Sequence, residues 1–185
     1  MAHIALEEGM PGITGAFGFR PETAKPMREL AEILLRGEST LTSAEREAIA
    51  AVVSSGNECR FCQLSHSAAA AEHRGGREED YRWIEAVKAN PEGADVSAKV
   101  RALLRIALKV RESGKKVTGQ DIAAAREQGA TDREIHDTVL IAAAFSMYNR
   151  YVDGLATWQP EGIEAYKPMG KRMALEGYAQ GAGRR

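Results

Sequence analysis

The 185 residues carry 25 lysines and arginines against 26 aspartates and glutamates, a formal net charge of −1, and 44% of positions are apolar. That length and apolar content suit one domain with a real core, and the near balance of charge implies no strong electrostatic partner. Basic residues are interleaved with acids, without the basic stripe or aromatic-plus-arginine ladder of nucleic-acid binders. The longest apolar runs, Ala68 to Ala71 and Val139 to Phe145, fall far short of the roughly 20 residues of a membrane span.

The N-terminus, Met1-Ala2-His3-Ile4-Ala5-Leu6-Glu7-Glu8, has neither a basic n-region nor a long apolar h-region. No export signal is expected, and a reducing cytoplasm is the expected compartment. There a close cysteine pair is more often catalytic or metal-binding than a structural staple.

In chain order, residues 1–21 are rich in glycine and proline (Pro11-Gly12, Gly15, Gly18, Pro21) and are predicted to form an extended arm. Glu22 to Arg36 places Met27, Leu30, Ile33, Leu34 and Leu35 mostly at helical spacing, with Gly37 as the stop. Thr42-Ser43-Ala44-Glu45 is a capping box that opens the next helix. From Ala48 to Val53 that helix is apolar all round, which predicts burial. It breaks at Ser54-Ser55-Gly56-Asn57, and a helix carrying the cysteines follows until Gly75-Gly76.

Further helices are predicted from Glu78 to Ala89, closed by Asn90-Pro91, and from Ser97 to Glu112. Two more capping boxes, Thr118-Gly119-Gln120-Asp121 and Thr131-Asp132-Arg133-Glu134, open a short helix to Gln128 and a long one to about Leu155. The centre of the long helix, Val139 to Phe145, is apolar on every face and should cross the core. Nothing alternates with the period of two that strands require, so the fold class is all-α. The chain reads as one domain, 1–185, with a tail over 159–185 that wraps a neighbouring subunit or frays.

Both cysteines lie in Glu58-Cys59-Arg60-Phe61-Cys62-Gln63-Leu64-Ser65-His66. At about 100° and 1.5 Å per residue, Cys59, Cys62 and His66 share an arc of roughly 60° on one helical face. His66 reaches back over the turn of Cys62, while Cys59 lies about 10 Å below it. A spacing of three lets the sulfurs meet in a small ring, as a dithiol/disulfide cycle needs; a crosslink so local would constrain little. A thiol in the first helical turn gains stabilisation as a thiolate, and Cys59 sits at that start with Cys62 one turn in. His66 can take a proton near neutral pH. If the helices flanking Gly56 fold back as a hairpin, Glu47 is level with His66, and such a buried acid could relay a proton. The small neighbours Ala44, Ala50, Ala51 and Ser54 would let the helices approach closely.

Glu47, eleven residues, then Cys59-x-x-Cys62-x-x-x-His66 resembles the signature of the alkylhydroperoxidase AhpD and carboxymuconolactone decarboxylase superfamily, in its peroxidase-related branch. The lead-in Pro11-Gly12-Ile13, the stretch Arg20 to Pro26, Leu34-Leu35-Arg36-Gly37 with Leu41-Thr42, and Asn149-Arg150-Tyr151-Val152-Asp153-Gly154-Leu155 are similar too. The resemblance implies an AhpD-like helical domain, with the CxxC at the start of a core helix, that reduces hydroperoxides without a bound cofactor. It assigns Cys62 as the thiol that attacks the O–O bond, Cys59 as the resolving thiol, and His66 and Glu47 as proton carriers. It also implies a homo-oligomer, trimer or hexamer, and a thiol reductant such as a lipoyl-bearing protein. The founding peroxidase has a histidine just before its second cysteine, where Phe61 stands here.

Two alternatives remain open on sequence alone. A decarboxylase or other lyase on the same scaffold would use histidine as acid/base without needing two thiols. A redox sensor or zinc-binding module would show no turnover. Structural zinc wants four closed ligands, while Cys59, Cys62 and His66 give three and His73 lies about 10 Å beyond His66, so no metal site is expected. Asn149, Arg150 and Asp153 are read as an ion pair or helix-to-helix bond, with a subunit contact as the second reading. His136, Trp83, Trp158, Tyr148 and Tyr151 are read as packing, and the substrate pocket is expected near Phe61 and Leu64.

Overall fold

A computed structural model describes residues 2–179. Among them are helices and no strand: α1 (Ile13–Phe19), α2 (Pro21–Arg36), α3 (Ser43–Gly56), α4 (Arg60–Arg74), α5 (Glu78–Ala89), α6 (Ala98–Glu112), α7 (Gly119–Glu127), α8 (Asp132–Gly154) and α9 (Lys167–Glu176), with short 3₁₀ turns at Gly114–Lys116 and Ile163–Ala165. None of these helices is long and apolar enough to cross a membrane. All three capping boxes read from the sequence are present, at Thr42/Glu45, Thr118/Asp121 and Thr131/Glu134.

The hairpin of α3 and α4 is the centre of the molecule. Ala48 to Val53 is buried throughout, and Ala68 to Ala71 on α4 has no exposure at all. Small side chains on both helices allow their axes to come close, so apolar contact replaces water along the whole seam. Around this pair α6 and α8 complete the main core, with Leu103, Leu104, Ile106 and Ile141 fully buried. The cysteines lie in a second apolar cluster with Phe61, Tyr81, Val152 and Tyr166.

Three expectations are corrected. Residues 1–21 are not simply extended: Ile13–Phe19 is helical, with Gly15, Ala16 and Phe17 buried. Docking on α2 and α8 outweighs the low helix propensity of its glycines, and backbone bonds His3 N–H to Leu155 O and Gly12 N–H to Trp158 O pin the arm to the end of α8. The tail is not a loose segment as far as it is described. It forms α9, which lies along α4. The centre of α8 crosses the core with one face turned outward, since Ala143 and Met147 are exposed while Ile141, Ala142 and Phe145 are buried. Of the residues read as packing, Trp158 and His136 are exposed.

Buried Glu134 ties three elements together. It accepts from Lys99 Nζ (2.6 Å) at the start of α6, Thr40 Oγ1 (2.9 Å) in the α2–α3 loop and the Thr131 N–H (2.7 Å). Burial alone would raise its pKa, but the Lys99 ammonium and these donors outweigh it and hold the carboxyl at about 2, below its ordinary 4.5. A folded-state pKa below the unfolded one stabilises the fold above the unfolded value and loses that contribution as pH falls. Acid titration of the unfolding free energy should therefore show a fall between pH 4.5 and about 2 that is weaker in Glu134→Gln.

Close packing of α9 gives a second expectation. A Cβ on Gly170 would sit 2.5 Å from the Ala68 Cβ and 2.6 Å from the Ala68 carbonyl carbon. Gly170→Ala should force α9 off α4 and cost about 1–3 kcal/mol in urea denaturation, as overpacking does.

Candidate active site

Glu47, Cys62 and His66 converge at the α3–α4 seam. Glu47 has no solvent exposure, and its Oε2 lies 2.7 Å from His66 Nδ1. The depth match across the hairpin is realised in this contact. Phe145 meets the His66 ring edge-on at a centroid distance of 4.5 Å, which fixes the imidazole plane. With Nδ1 committed to Glu47, Nε2 is the ring nitrogen left for chemistry. Among the described residues no hydrogen bond joins His66 to Cys62.

The two sulfurs have different surroundings. Cys59 is the N-cap residue of α4, just outside the helix that the sequence reading had it begin, and is fully buried; Cys62 is in the first turn. Both are free thiols, and Cys59 Sγ donates to Cys62 Sγ at 2.9 Å. That hydrogen bond, burial and the field of Cys62 raise the pKa of Cys59. The stabilisation expected for a thiolate at the helix start does not prevail at Cys59: its amide contact is outweighed by the hydrogen bond to Cys62 and by the dry pocket. Cys59 is the protonated partner.

Cys62 opens onto a cavity of about 1160 Å³ walled by α1, α2, α4, α8 and α9, whereas Cys59 does not line it. Phe61, Ser65, His66 and Phe145 share this wall. Leu64 packs in the second apolar cluster instead. Tyr148, read from sequence as packing, lines the cavity, and burial pushes its phenol up to about 12.

The sequence reading missed Tyr178. Its phenol donates to Glu47 Oε1 and its ring stacks beside His66, with centroids 6.0 Å apart and planes inclined by 13°. Burial and the Glu47 carboxylate raise its pKa well above the ordinary value, so the phenol stays a donor. The strap that delivers it is clamped by α2. Glu32 accepts the Tyr178 N–H at 2.6 Å, and Arg36 donates to the Met173 and Ala174 carbonyls at the end of α9. Gly177 makes the turn at φ 79, where a side chain would strike Glu32 and Arg36. A tyrosine in a tail rich in glycine carries no periodic signal that could have pointed here. Asp153 was seen but given another role. Burial raises its pKa and Cys59 hydrogen bonding lowers it. The expected Arg150–Asp153 pair is absent among the described residues; Arg150 caps the Ser146 carbonyl, and Asn149 makes the helix-to-helix bonds, to Ser54 and Asn57 on the α3 side.

Among the described residues no group of three or more His, Cys, Asp or Glu side chains is disposed to hold a metal ion. His73 is half-buried with its Nε2 unpartnered, apart from the cysteines.

Fold and site thus define an all-α dithiol protein with a buried acid–imidazole pair. The profile of the carboxymuconolactone decarboxylase family matches residues 21–107. An uncharacterized peroxidase-related protein from Silicibacter sp. TM1040 shares 30% identity and a TM-score of 0.75, over 85% of this chain and 78% of that one. An uncharacterized peroxidase-related protein from Ralstonia eutropha JMP134, described as an alkylhydroperoxidase AhpD core, shares 27% identity and a TM-score of 0.75, over 87% and 81% of the two chains. An Agrobacterium tumefaciens protein of unknown function, ascribed to AhpD-type antioxidant defence, has the same fold at 23% identity and a TM-score of 0.65, over 82% and 99%. No curated protein matches the chain. The chain belongs to the AhpD and carboxymuconolactone decarboxylase superfamily, in its peroxidase-related branch.

Removing the Tyr178 hydroxyl leaves a buried carboxylate oxygen without its donor. Tyr178→Phe should lower stability by about 1–3 kcal/mol in denaturant titration, the cost of an unsatisfied buried acceptor.

Proposed function

We propose that this chain is a thiol-dependent peroxidase that reduces organic hydroperoxides through a Cys59/Cys62 dithiol–disulfide cycle. The observation that carries the reading is the division between the sulfurs: Cys62 borders the cavity, while Cys59 is sealed behind it with its S–H on Cys62.

In the first step the Cys62 thiolate attacks the distal oxygen of ROOH. The S–O bond forms, the O–O bond breaks, sulfur loses two electrons and the alkoxide leaves as ROH after taking a proton. Cys62 loses its own proton to His66 Nε2, relayed by a water where the two do not touch, and the same imidazolium returns it to the leaving oxygen. Glu47 stabilises the imidazolium at Nδ1, and Tyr178 holds Glu47 in place. Cys59 then attacks the Cys62 sulfenic acid, water leaves, and the disulfide forms. An external dithiol, with a lipoyl-bearing protein as the proposed donor, reduces the pair by thiol–disulfide exchange. The working form is proposed to be a cytoplasmic homo-oligomer, trimer or hexamer. Its contact surfaces are expected to cover exposed apolar side chains such as Ile33 and Met147.

The test is consumption of cumene hydroperoxide with dihydrolipoamide as donor. Wild type should turn over, whereas Cys59→Ser and Cys62→Ser should each lose at least about 10²-fold, in line with the loss of a covalent catalytic group. Cys59→Ser should trap a dimedone-reactive sulfenic acid on Cys62, seen by mass spectrometry after one equivalent of peroxide. Activity that survives Cys62→Ser would overturn the cycle and favour acid/base lyase chemistry at His66.

A further inference from the structure

We propose that the cavity is built for amphipathic hydroperoxides carrying a carboxylate, the class of fatty-acid hydroperoxides, with the anionic end held by Arg28 and Arg172 and the acyl chain along an apolar wall leading to Cys62. This deepens the peroxidase reading and rests on it for the fate of the bound molecule, though not for the binding itself.

The first support is size and lining. A compact peroxide needs little of a space of about 1160 Å³, which exceeds the roughly 300–1,000 Å³ of ordinary ligand pockets. The wall includes Met10, Ile13, Phe17, Met27, Met169 and Met173. Unbranched thioethers adapt to a flexible chain better than branched side chains do, so the wall suits an acyl tail.

The second is charge. Arg28 on α2 and Arg172 on α9 both line the cavity. Arg28 is half-buried, with its guanidinium 5.0 Å from the Phe17 ring centroid. Among the described residues no carboxylate lies within ion-pair distance of either guanidinium. The nearby α2 acids are engaged elsewhere, Glu29 with Lys25 and Glu32 with Arg36 and the Tyr178 amide. Glu7 and Glu176 also line the cavity without closing on the pair. Burial and the neighbouring Arg172 charge depress the Arg28 guanidinium. Half-buried Arg28 and exposed Arg172 put two like charges on the border of one apolar space, which favours an anion there, and a carboxylate matches the planar guanidinium fork.

The geometry sets the polarity of binding. Arginines come from α2 and α9, the thiol from the first turn of α4, and both border one continuous cavity. A hydroperoxide group partway along a chain can therefore meet Cys62 while the carboxylate remains at the arginines.

The experiment separates binding from turnover. Dodecanoic acid and methyl dodecanoate are titrated into the intact chain by calorimetry. Rates are then compared for linoleic acid hydroperoxide and its methyl ester with dihydrolipoamide as donor. The acid should bind at least about tenfold tighter than the ester, as a charge-assisted contact implies, and kcat/KM should show the same preference. Arg28→Gln and Arg172→Gln should each narrow the acid-to-ester ratio, and the double variant should bring it close to one. Equal binding of acid and ester by wild type overturns the proposal without reference to any variant, as does a double variant that keeps the wild-type ratio. Acid preference in binding without turnover of any hydroperoxide supports the anion site and overturns the peroxidase reading.

Discussion

The structure depends on the contact between Glu47 and His66. A carboxylate with no access to water is costly unless its lone pairs are satisfied, and Glu47 finds an imidazole from α4 on one oxygen and a phenol from the C-terminal strap on the other. This single group therefore joins three parts of the chain that are far apart in sequence. The same contact aligns the hairpin, orients the imidazole and closes the strap. The packing of the core and the proposed chemistry draw on one set of bonds.

The cysteine pair shows how burial divides two chemically identical groups. Three residues apart in one apolar cluster, they differ in access: Cys62 borders the cavity, while Cys59 lies behind it beside Asp153. Desolvation penalises a charge, and a thiol that can give its proton to a neighbouring sulfur has a reason to keep it. The roles proposed for Cys59 and Cys62 follow from that asymmetry more than from the order of the motif. Helix-terminal stabilisation is real but small beside the cost of a dry pocket.

Around the hairpin, the walls of the cavity come from the two ends of the chain. α1 and α2 bring Phe17, Met27 and Arg28, α9 brings Met169 and Arg172, and the strap after it brings Tyr178. The cysteine pair is held by the central helices, while the cavity beside Cys62 is shaped by the arm and the tail. Such a division allows specificity to change without disturbing the reacting groups.

The sequence by itself determined the helices from α2 to α8 and the candidate site set. Capping boxes at Thr42, Thr118 and Thr131 are local chemistry, legible within four residues, and the Cys59/Cys62/His66 stripe follows from helical geometry alone. Even the pairing of Glu47 with His66 was legible, because a short turn at Gly56 makes depth along a hairpin countable. What only the tertiary structure decided is everything that depends on which surfaces meet: the docking of Ile13–Phe19 against glycine propensity, the placement of α9, the arrival of Tyr178 at Glu47 and the protonated state of Cys59. None of these has a periodic or local signature. They arise from desolvation and packing between surfaces, in part from segments more than a hundred residues apart, as Tyr178 and Glu47 are, and such terms exist only once the chain has folded.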